Sequence, residues 1–442
     1  MVTRLVYARR RRLLRVSPTS AHGLIAETEA LSELPDVLAL ISSENPVLWW
    51  RRGSGMVGFG VAASFEFSGR GRVSEASSLW ASVVADADVR DAVTVPGSGL
   101  IAWGTFAFRS SSGYASRLVV PRLVVGVREG VGWLTRIRPA SEQADALTPA
   151  LATELVAQLA ADALAANGNS SRAVVRFSQG ELSQDDFSAA VSKAVARINA
   201  GEVEKVVLAR DITGTFERSH NLAPNLRHLV DSYPDCWTFA VDGLFGSSPE
   251  TLVSVHDQQV SARVLAGTAR RGADSATDLA NAAALASSAK DLDEHGFATR
   301  SVVEALGPFT TQLTASDNPF TLKLPNLWHL ATDISAKLTG GSSSLDLVSS
   351  LHPTAAVAGT PMLSAVAVID ELEPFDRGRY AGPVGWIGAD GDGEWAIALR
   401  CAQVAGDRVT AYAGGGIVSD SIPEMELAET QMKFRPIVDA LS

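Results

Sequence analysis

The sequence predicts an α/β or α+β fold, and three observations predict it. Short β-branched runs are interspersed with helical periodicities at irregular intervals, which speaks against a simple repeat array. The chain has 442 residues, 46% of them apolar, enough to bury one large core or two ordinary ones. The most apolar helix-like segment, 151–166, carries Glu154, Gln158 and Asp162 and is therefore amphipathic, while no run approaches the ~18 apolar residues of a membrane span.

In chain order, the run Arg9-Arg10-Arg11-Arg12-Leu13-Leu14-Arg15 has the charge of a signal-peptide start. Arg15, Ser17 and Pro18 interrupt it before an apolar stretch develops, so it reads as a solvated or strand-edge basic patch. Gly58-Phe59-Gly60 lacks the strand, loop and helix context of a phosphate loop and reads as a glycine-kinked strand. Leu118-Val119-Val120 and Leu123-Val124-Val125 are further strands, and a long alanine-rich helix ends near Asn167-Gly168.

The small polar stretch 167–172 suggests a linker or crossover. Ser183 then opens a helix through Phe187, Val191, Val195 and Ile198, stopped by Gly201. Strands are expected at Lys205–Ile212, Thr238–Val241, Thr251–Val255 and Trp395–Val404, and long helices at Asp278–Leu306 and Ile422–Leu441.

The net charge of −11 and pI near 5.2 give no overall positive field for nucleic acid or an anionic bilayer, so an anionic substrate needs a locally built site. Cys236 and Cys401 are too few for a disulfide framework or a cysteine zinc site, and a reducing cytoplasm fits best.

Ala413-Gly414-Gly415-Gly416 followed by Ser421-Ile422-Pro423-Glu424 reads as a strand end, a glycine turn and a capped helix start. Such a turn lets backbone amides approach an anion, though a plain tight turn has the same sequence. On the helix that follows, Glu426, Glu429 and Lys433 stand at i, i+3 and i+7 and share one face. That face is either solvated and salt-bridged or part of a site. Glu294, in the acidic cluster 290–295, could join Glu426 and Glu429 around a hard cation, but sequence alone does not bring the two helices together.

Lys205 opens a β-branched strand, where a desolvated lysine can act as a general base and an edge lysine can block aggregation. Glu250 in Ser248-Pro249-Glu250 is equally open, a buried acid or a turn residue. His329 and His352 lie in apolar surroundings and read as hydrogen-bonded structural histidines, without a metal. No serine or cysteine nucleophile motif is present.

Taken in order, these segments resemble the chorismate-utilising enzymes, the family of isochorismate, salicylate, anthranilate and aminodeoxychorismate synthases. The resemblance is carried by Lys205-Val206-Val207-Leu208-Ala209-Arg210, Ser248-Pro249-Glu250, Leu265-Ala266-Gly267-Thr268, Asp293-Glu294-His295 and the stretch from Leu351 to Gly359. It continues through Tyr380-Ala381-Gly382-Pro383-Val384-Gly385-Trp386, Ile397-Ala398-Leu399-Arg400-Cys401-Ala402 and the glycine turn with its helix. It is strong from about Gly180 onward and weak before.

The resemblance implies two large β-sheets in a central sandwich flanked by helices, one chorismate-binding unit. Residues 171–442 would be the catalytic region and residues 1–170 would add strands to the same fold, which removes the linker at 167–172 as a domain boundary. It implies that Lys205 is the base that activates water and Glu250 the acid that helps the chorismate hydroxyl leave. Glu294 and Glu429 match Mg2+ ligands, with Glu426 nearby acting through water. Arg400, Lys433 and the backbone of Gly414 and Gly415 match groups that hold substrate carboxylates, and Gly267 with Thr268 part of the pocket wall.

Lysine at position 205 and the run His352-Pro353-Thr354-Ala355-Ala356 resemble the water-adding members, so the expected reaction is chorismate to isochorismate, for menaquinone more than for siderophore synthesis. No glutaminase subunit, nucleic acid or membrane partner is expected, and the chain is expected to be a monomer or weak dimer. The runner-up is a salicylate synthase, which would eliminate pyruvate in the same pocket; Ala355 and Ala356 lean towards stopping at isochorismate. An inactive chorismate-binding homologue is the reading from another class, and keeping Lys205, Glu250, Glu294 and Glu429 together argues against it, because buried unpaired charge is costly.

Overall fold

Side chains alternate across a strand, so an apolar strand can feed two different cores. Leu48 and Trp49 show this directly, since the first packs outward against helices and the second inward between two sheets. The computed structural model describes residues 23–41, 46–167, 171–217, 221–323 and 327–442. The basic run at 9–15 and residues 168–170 of the expected linker lie outside the described residues.

The first part of the chain comprises β1 (Leu24–Ala30), β2 (Val47–Arg51), β3 (Ser54–Phe59), β4 (Ala63–Phe67), α1 (Arg72–Ala85), β5 (Asp88–Asp91) and β6 (Ile101–Thr105). It continues with β7 (Ser116–Val120), β8 (Leu123–Arg128), β9 (Val131–Pro139) and α2 (Pro149–Asn167). Next come β10 (Ser178–Gln179), α3 (Gln184–Asn199), β11 (Lys205–Thr215), α4 (Ala223–Ser232), β12 (Trp237–Val241), β13 (Leu244–Ser248) and β14 (Thr251–His256). The middle holds β15 (Gln259–Arg270), α5 (Ser275–Ser287), α6 (Ala289–Leu306), β16 (Thr310–Ala315), β17 (Phe320–Lys323), β18 (Leu327–Leu338) and α7 (Ser344–Leu351). The end comprises β19 (Gly359–Thr360), α8 (Met362–Leu372), β20 (Pro383–Gly388), β21 (Gly393–Ile397), β22 (Cys401–Ala405), β23 (Arg408–Ile417) and α9 (Pro423–Ala440).

Among the described residues these strands form two sheets. A 13-stranded sheet runs β10-β11-β23-β22-β13-β12-β2-β3-β8-β9-β1-β5, with β19 also on β11. A 10-stranded sheet runs β16-β18-β15-β14-β21-β20-β6-β7-β4, with β17 also on β18. The family resemblance implied this two-sheet sandwich flanked by helices. Both sheets join strands from before and after residue 170, for β2 pairs with β12 and β6 with β20.

The inner core lies between the sheets and includes Trp49, Trp133 and Phe239 from one and Val253, Trp386 and Trp395 from the other. On the outer face of the larger sheet, Leu48, Val125, Leu134 and Ala411 pack against Leu226 and Leu229 of α4 and Phe434 and Ile437 of α9. One buried carboxylate ties the sheets together. Glu394 of β21 accepts from Trp49 Nε1 at 2.8 Å, Trp386 Nε1 at 3.1 Å and both terminal nitrogens of Arg128 at 3.0 Å, and lies 3.0 Å from His256 Nε2. Burial works to raise this acid, but His256 and Arg128 outweigh it and hold the carboxyl well below its usual range.

Four sequence-based expectations are corrected. Trp395–Val404 is two strands in different sheets, β21 and β22, because Arg400 takes a left-handed φ of 49° and turns the chain between them. Asp278–Leu306 is two helices, broken at Ser288, whose extended backbone ends α5 while its hydroxyl accepts from Asp291 N to cap α6. The glycines 414–416 lie in β23, paired with Ala209, Leu208 and Val207 of β11, and form no loose turn. Ser421 does not cap the last helix either: Ile422 stands at the N-cap and the Ser421 hydroxyl donates to Glu426 at 2.8 Å. Among the described residues no helix is long and apolar enough to cross a membrane.

Candidate active site

The candidate site sits where the chain twice crosses from one sheet to the other. Ser248-Pro249-Glu250 links β13 of the larger sheet to β14 of the smaller, and Ala398-Leu399-Arg400 links β21 back to β22. The two crossovers are stitched side by side: Ile397 N donates to Glu250 O at 3.1 Å, Ser247 N to Arg400 O at 3.2 Å, and the Ser248 hydroxyl to Ile397 O at 2.6 Å. Glu250 and Arg400 therefore arrive together although they are far apart in sequence.

A cavity of about 580 Å³ opens beside them, and Lys205, Glu250 and Glu294 all line it. Lys205, the first residue of β11, is not on a sheet edge, because β11 lies between β23 and the short strands β10 and β19. Its Nζ lies 2.6 Å from Glu294 Oε1 on α6. Burial pushes the Glu250 carboxyl up to about 7, against the opposing pull of Arg400, Lys205 and Lys433. Glu250 thus keeps its proton at a pH where an ordinary glutamate has lost it. Ala355, Ala356 and Thr354 line the same cavity, with Val264 and Phe297 as apolar wall.

The three glycines of β23 carry no left-handed φ, so their use is close approach. A Cβ on Gly414 would meet Leu208 O at 2.7 Å, one on Gly415 would lie 3.1 Å from Glu426 Oε2 and 3.7 Å from Glu429 Oε1, and one on Gly416 would meet Lys205 Cε at 2.8 Å. Without side chains there, the groups of α9 and β11 close onto the strand. Lys433 Nζ donates to Gly414 O at 2.8 Å and pairs with Glu429 Oε1 at 2.5 Å. The stripe at 426, 429 and 433 is therefore no freely solvated face.

Charges in this group shift one another. Burial pushes Lys433 down, opposed by Glu429. Burial works to raise Glu429 too, but Lys433, with Arg400, holds it below its usual value. Burial and the like charge of Glu429 push Glu426 up, with the Ser421 hydroxyl opposing. Among the described residues the Arg400 side chain has no hydrogen bond or ion pair, which leaves its two-pronged donor surface for an incoming carboxylate. Gly267, at φ +79°, makes the bulge in β15 that sets Thr268 opposite His329 of β18.

His329 is the residue that sequence reasoning left out of the site. Its Nδ1 lies 3.0 Å from Thr268 Oγ1 and 3.3 Å from Gly267 O, and burial, with Lys433 and Arg400, pushes it down to about 4. It is a neutral ring near Glu429. The register of β15 against β18 places it, and no local pattern reports register. His352 does behave as a structural histidine, with Nε2 3.0 Å from Ala381 O and burial pushing it down to about 3.

The oxygen donors suit a small hard cation in part. Glu426 and Glu429 converge on the point that a Gly415 side chain would fill, a like-charged pair that a cation would relieve. Glu294 is held by Lys205, and among the described residues no group of three or more histidine, cysteine, aspartate or glutamate side chains is arranged to hold a metal. The residues fit an ion bound by few carboxylates and completed by water or substrate oxygen.

The chain matches the family model described as chorismate binding enzyme over residues 17–442. It is 40% identical over 269 residues to the isochorismate synthase DhbC of Bacillus subtilis, covering 58% of this chain and 68% of that protein. It is 37% identical over 261 residues to the isochorismate synthase EntC of Escherichia coli, covering 58% of this chain and 67% of that protein. Its fold is that of the menaquinone-specific isochorismate synthase MenF from Escherichia coli, with a TM-score of 0.75 at 24% identity over 95% of each chain.

Proposed function

This chain belongs to the chorismate binding enzymes, and from that premise we propose that it converts chorismate to isochorismate. The observation that carries the reading is that Lys205 and Glu250 face one cavity while Glu250 keeps its proton up to about pH 7. A base and an acid held in one pocket is what water addition with loss of a hydroxyl requires. Lys205 takes a proton from the water that adds at C2, and Glu250 gives one to the C4 hydroxyl, which leaves as water. Proton exchange through solvent returns Lys205 and Glu250 to their starting forms, so the net change is an isomerisation.

Arg400 and Lys433 bind the substrate carboxylates, which explains how an acidic protein takes an anionic substrate. Glu429 and Glu426 would hold a magnesium ion, with Glu294 joining them. When bound, that ion supplies a counter-charge for a substrate carboxylate among acids that would otherwise repel it. Glu294 meets Lys205 through Oε1 alone, so its other oxygen is the one that would face an ion. We extend the reading to menaquinone synthesis on the family resemblance alone.

The test is chromatographic product analysis of the purified protein with chorismate, with and without magnesium. Isochorismate formed only with magnesium supports the reading. Salicylate with pyruvate would replace it by the salicylate synthase, and untouched chorismate in folded protein would remove the activity.

A further inference from the structure

A second pocket, of about 270 Å³, lies away from Lys205 and Glu250, between β10, the start of α3 and α9. Arg210 of β11 forms part of its lining. This arginine is only 3% exposed, and burial pushes its guanidinium below its ordinary value. Its Nε donates to Thr430 Oγ1 at 2.8 Å, and its guanidinium stacks on Phe434 at 4.9 Å from the ring centre. No acid pairs with it among the described residues. The adjacent Asp211 is engaged elsewhere, accepting from the amides of Glu181 and Leu182.

This cation has no counter-ion, and its two terminal nitrogens make no hydrogen bond among the described residues and are not sealed from solvent, so they are open to a ligand in the pocket. The surrounding walls supply the amide side chains of Gln179, Gln184 and Gln431, which make no hydrogen bond among the described residues, and apolar surface from Phe177 and Phe434. Gln179 pairs in register with Ile212, two residues beyond Arg210, so both side chains lie on one side of the sheet.

We propose that this pocket is a binding site for a small carboxylic acid with an apolar body, its carboxylate taken two-pronged by Arg210. One guanidinium with no second cation matches a single negative charge better than a phosphate dianion, and the aromatic walls match a ring or short hydrocarbon. Because Thr430 and Phe434 hold Arg210, the ligand would rest on the same helix that carries Glu426, Glu429 and Lys433. Binding here does not depend on the proposed reaction.

Calorimetric titration of the full chain with benzoate, and separately with inorganic phosphate, tests the proposal. The expected result is that benzoate binds more tightly than phosphate and that R210K and Q179E each weaken it at least tenfold. R210K keeps the charge and loses the fork; Q179E, at an exposed position, sets a competing carboxylate beside Arg210 and keeps the test open if R210K does not fold. Absence of benzoate binding, tighter phosphate binding, or benzoate binding unchanged in Q179E, which would assign it to Arg400 and Lys433, each overturns the proposal.

Discussion

Lys205 Nζ and Glu294 Oε1 lie 2.6 Å apart, so the first residue of β11 is tied to the second turn of α6 across the cavity that both line. The proposed base and a proposed metal ligand thus share one contact. Removing either changes the partner as well as the residue.

Lys205→Ala should lower turnover of chorismate by about 10²–10⁴-fold, the usual size of a general-base contribution. Substrate binding in the presence of magnesium should survive, because Arg400 and Lys433 are untouched. Steady-state kinetics beside calorimetric binding separates the two, and full activity in the variant would remove Lys205 as the base.

Glu250 gives a pH dependence with a definite sign. Its folded value, about 7, lies above that of an unfolded glutamate. The general acid is therefore competent below about pH 7, and kcat should fall as pH rises through that value. The same shift makes stability fall as pH rises from the unfolded value to about 7, by on the order of 3 kcal/mol in all, and this group takes nothing further above that. Glu250→Gln should lose activity and also lose this decline in Tm on the acid side of pH 7; an identical pH–Tm profile in the variant would contradict the shift.

Gly416→Ala tests the close approach on β23. The added Cβ meets Lys205 Cε at 2.8 Å, and the far end of a lysine can move. The variant should keep its Tm within a few degrees and lose about tenfold or more in kcat, since a displaced base forfeits its geometry. A Tm drop as large as the rate loss would instead point to damage in the strand.

Glu429→Ala should raise the magnesium concentration needed for half-maximal binding by about tenfold or more, the range seen when a support of a metal site is lost. Magnesium titration calorimetry reads this without turnover. An unchanged titration would count against Glu429 as a ligand.

Glu394→Gln should destabilise the fold by up to about 3 kcal/mol, the lower end of the cost of breaking a buried pair, because the part-buried Arg128 would lose its counter-charge. Thermal denaturation should show the loss, while the product formed from chorismate should not change. Glu394 lies outside the cavity lined by Lys205 and Glu250.

By itself the sequence determined the local elements that rest on periodicity and capping. The helix from Ser183 to Gly201 begins on a Ser183 side-chain cap and is followed by a Gly201 at φ +78°, and the strands at Lys205, Thr238 and Thr251 are where β-branching put them. The order of motifs also determined the family, through residues whose types are costly unless used. Tertiary structure alone decided the rest. Trp395–Val404 looks like one strand because most of its residues are apolar, yet one left-handed residue, Arg400, sends its halves to different sheets. The glycines 414–416 look like a turn because glycine suits turns, yet they are strand residues whose missing side chains admit Lys205, Glu426 and Glu429. Whether Lys205 meets Glu294, and whether His329 joins Thr268, depends on sheet order and register. Those are set by which faces bury together over the whole chain, and no local window of sequence contains that information.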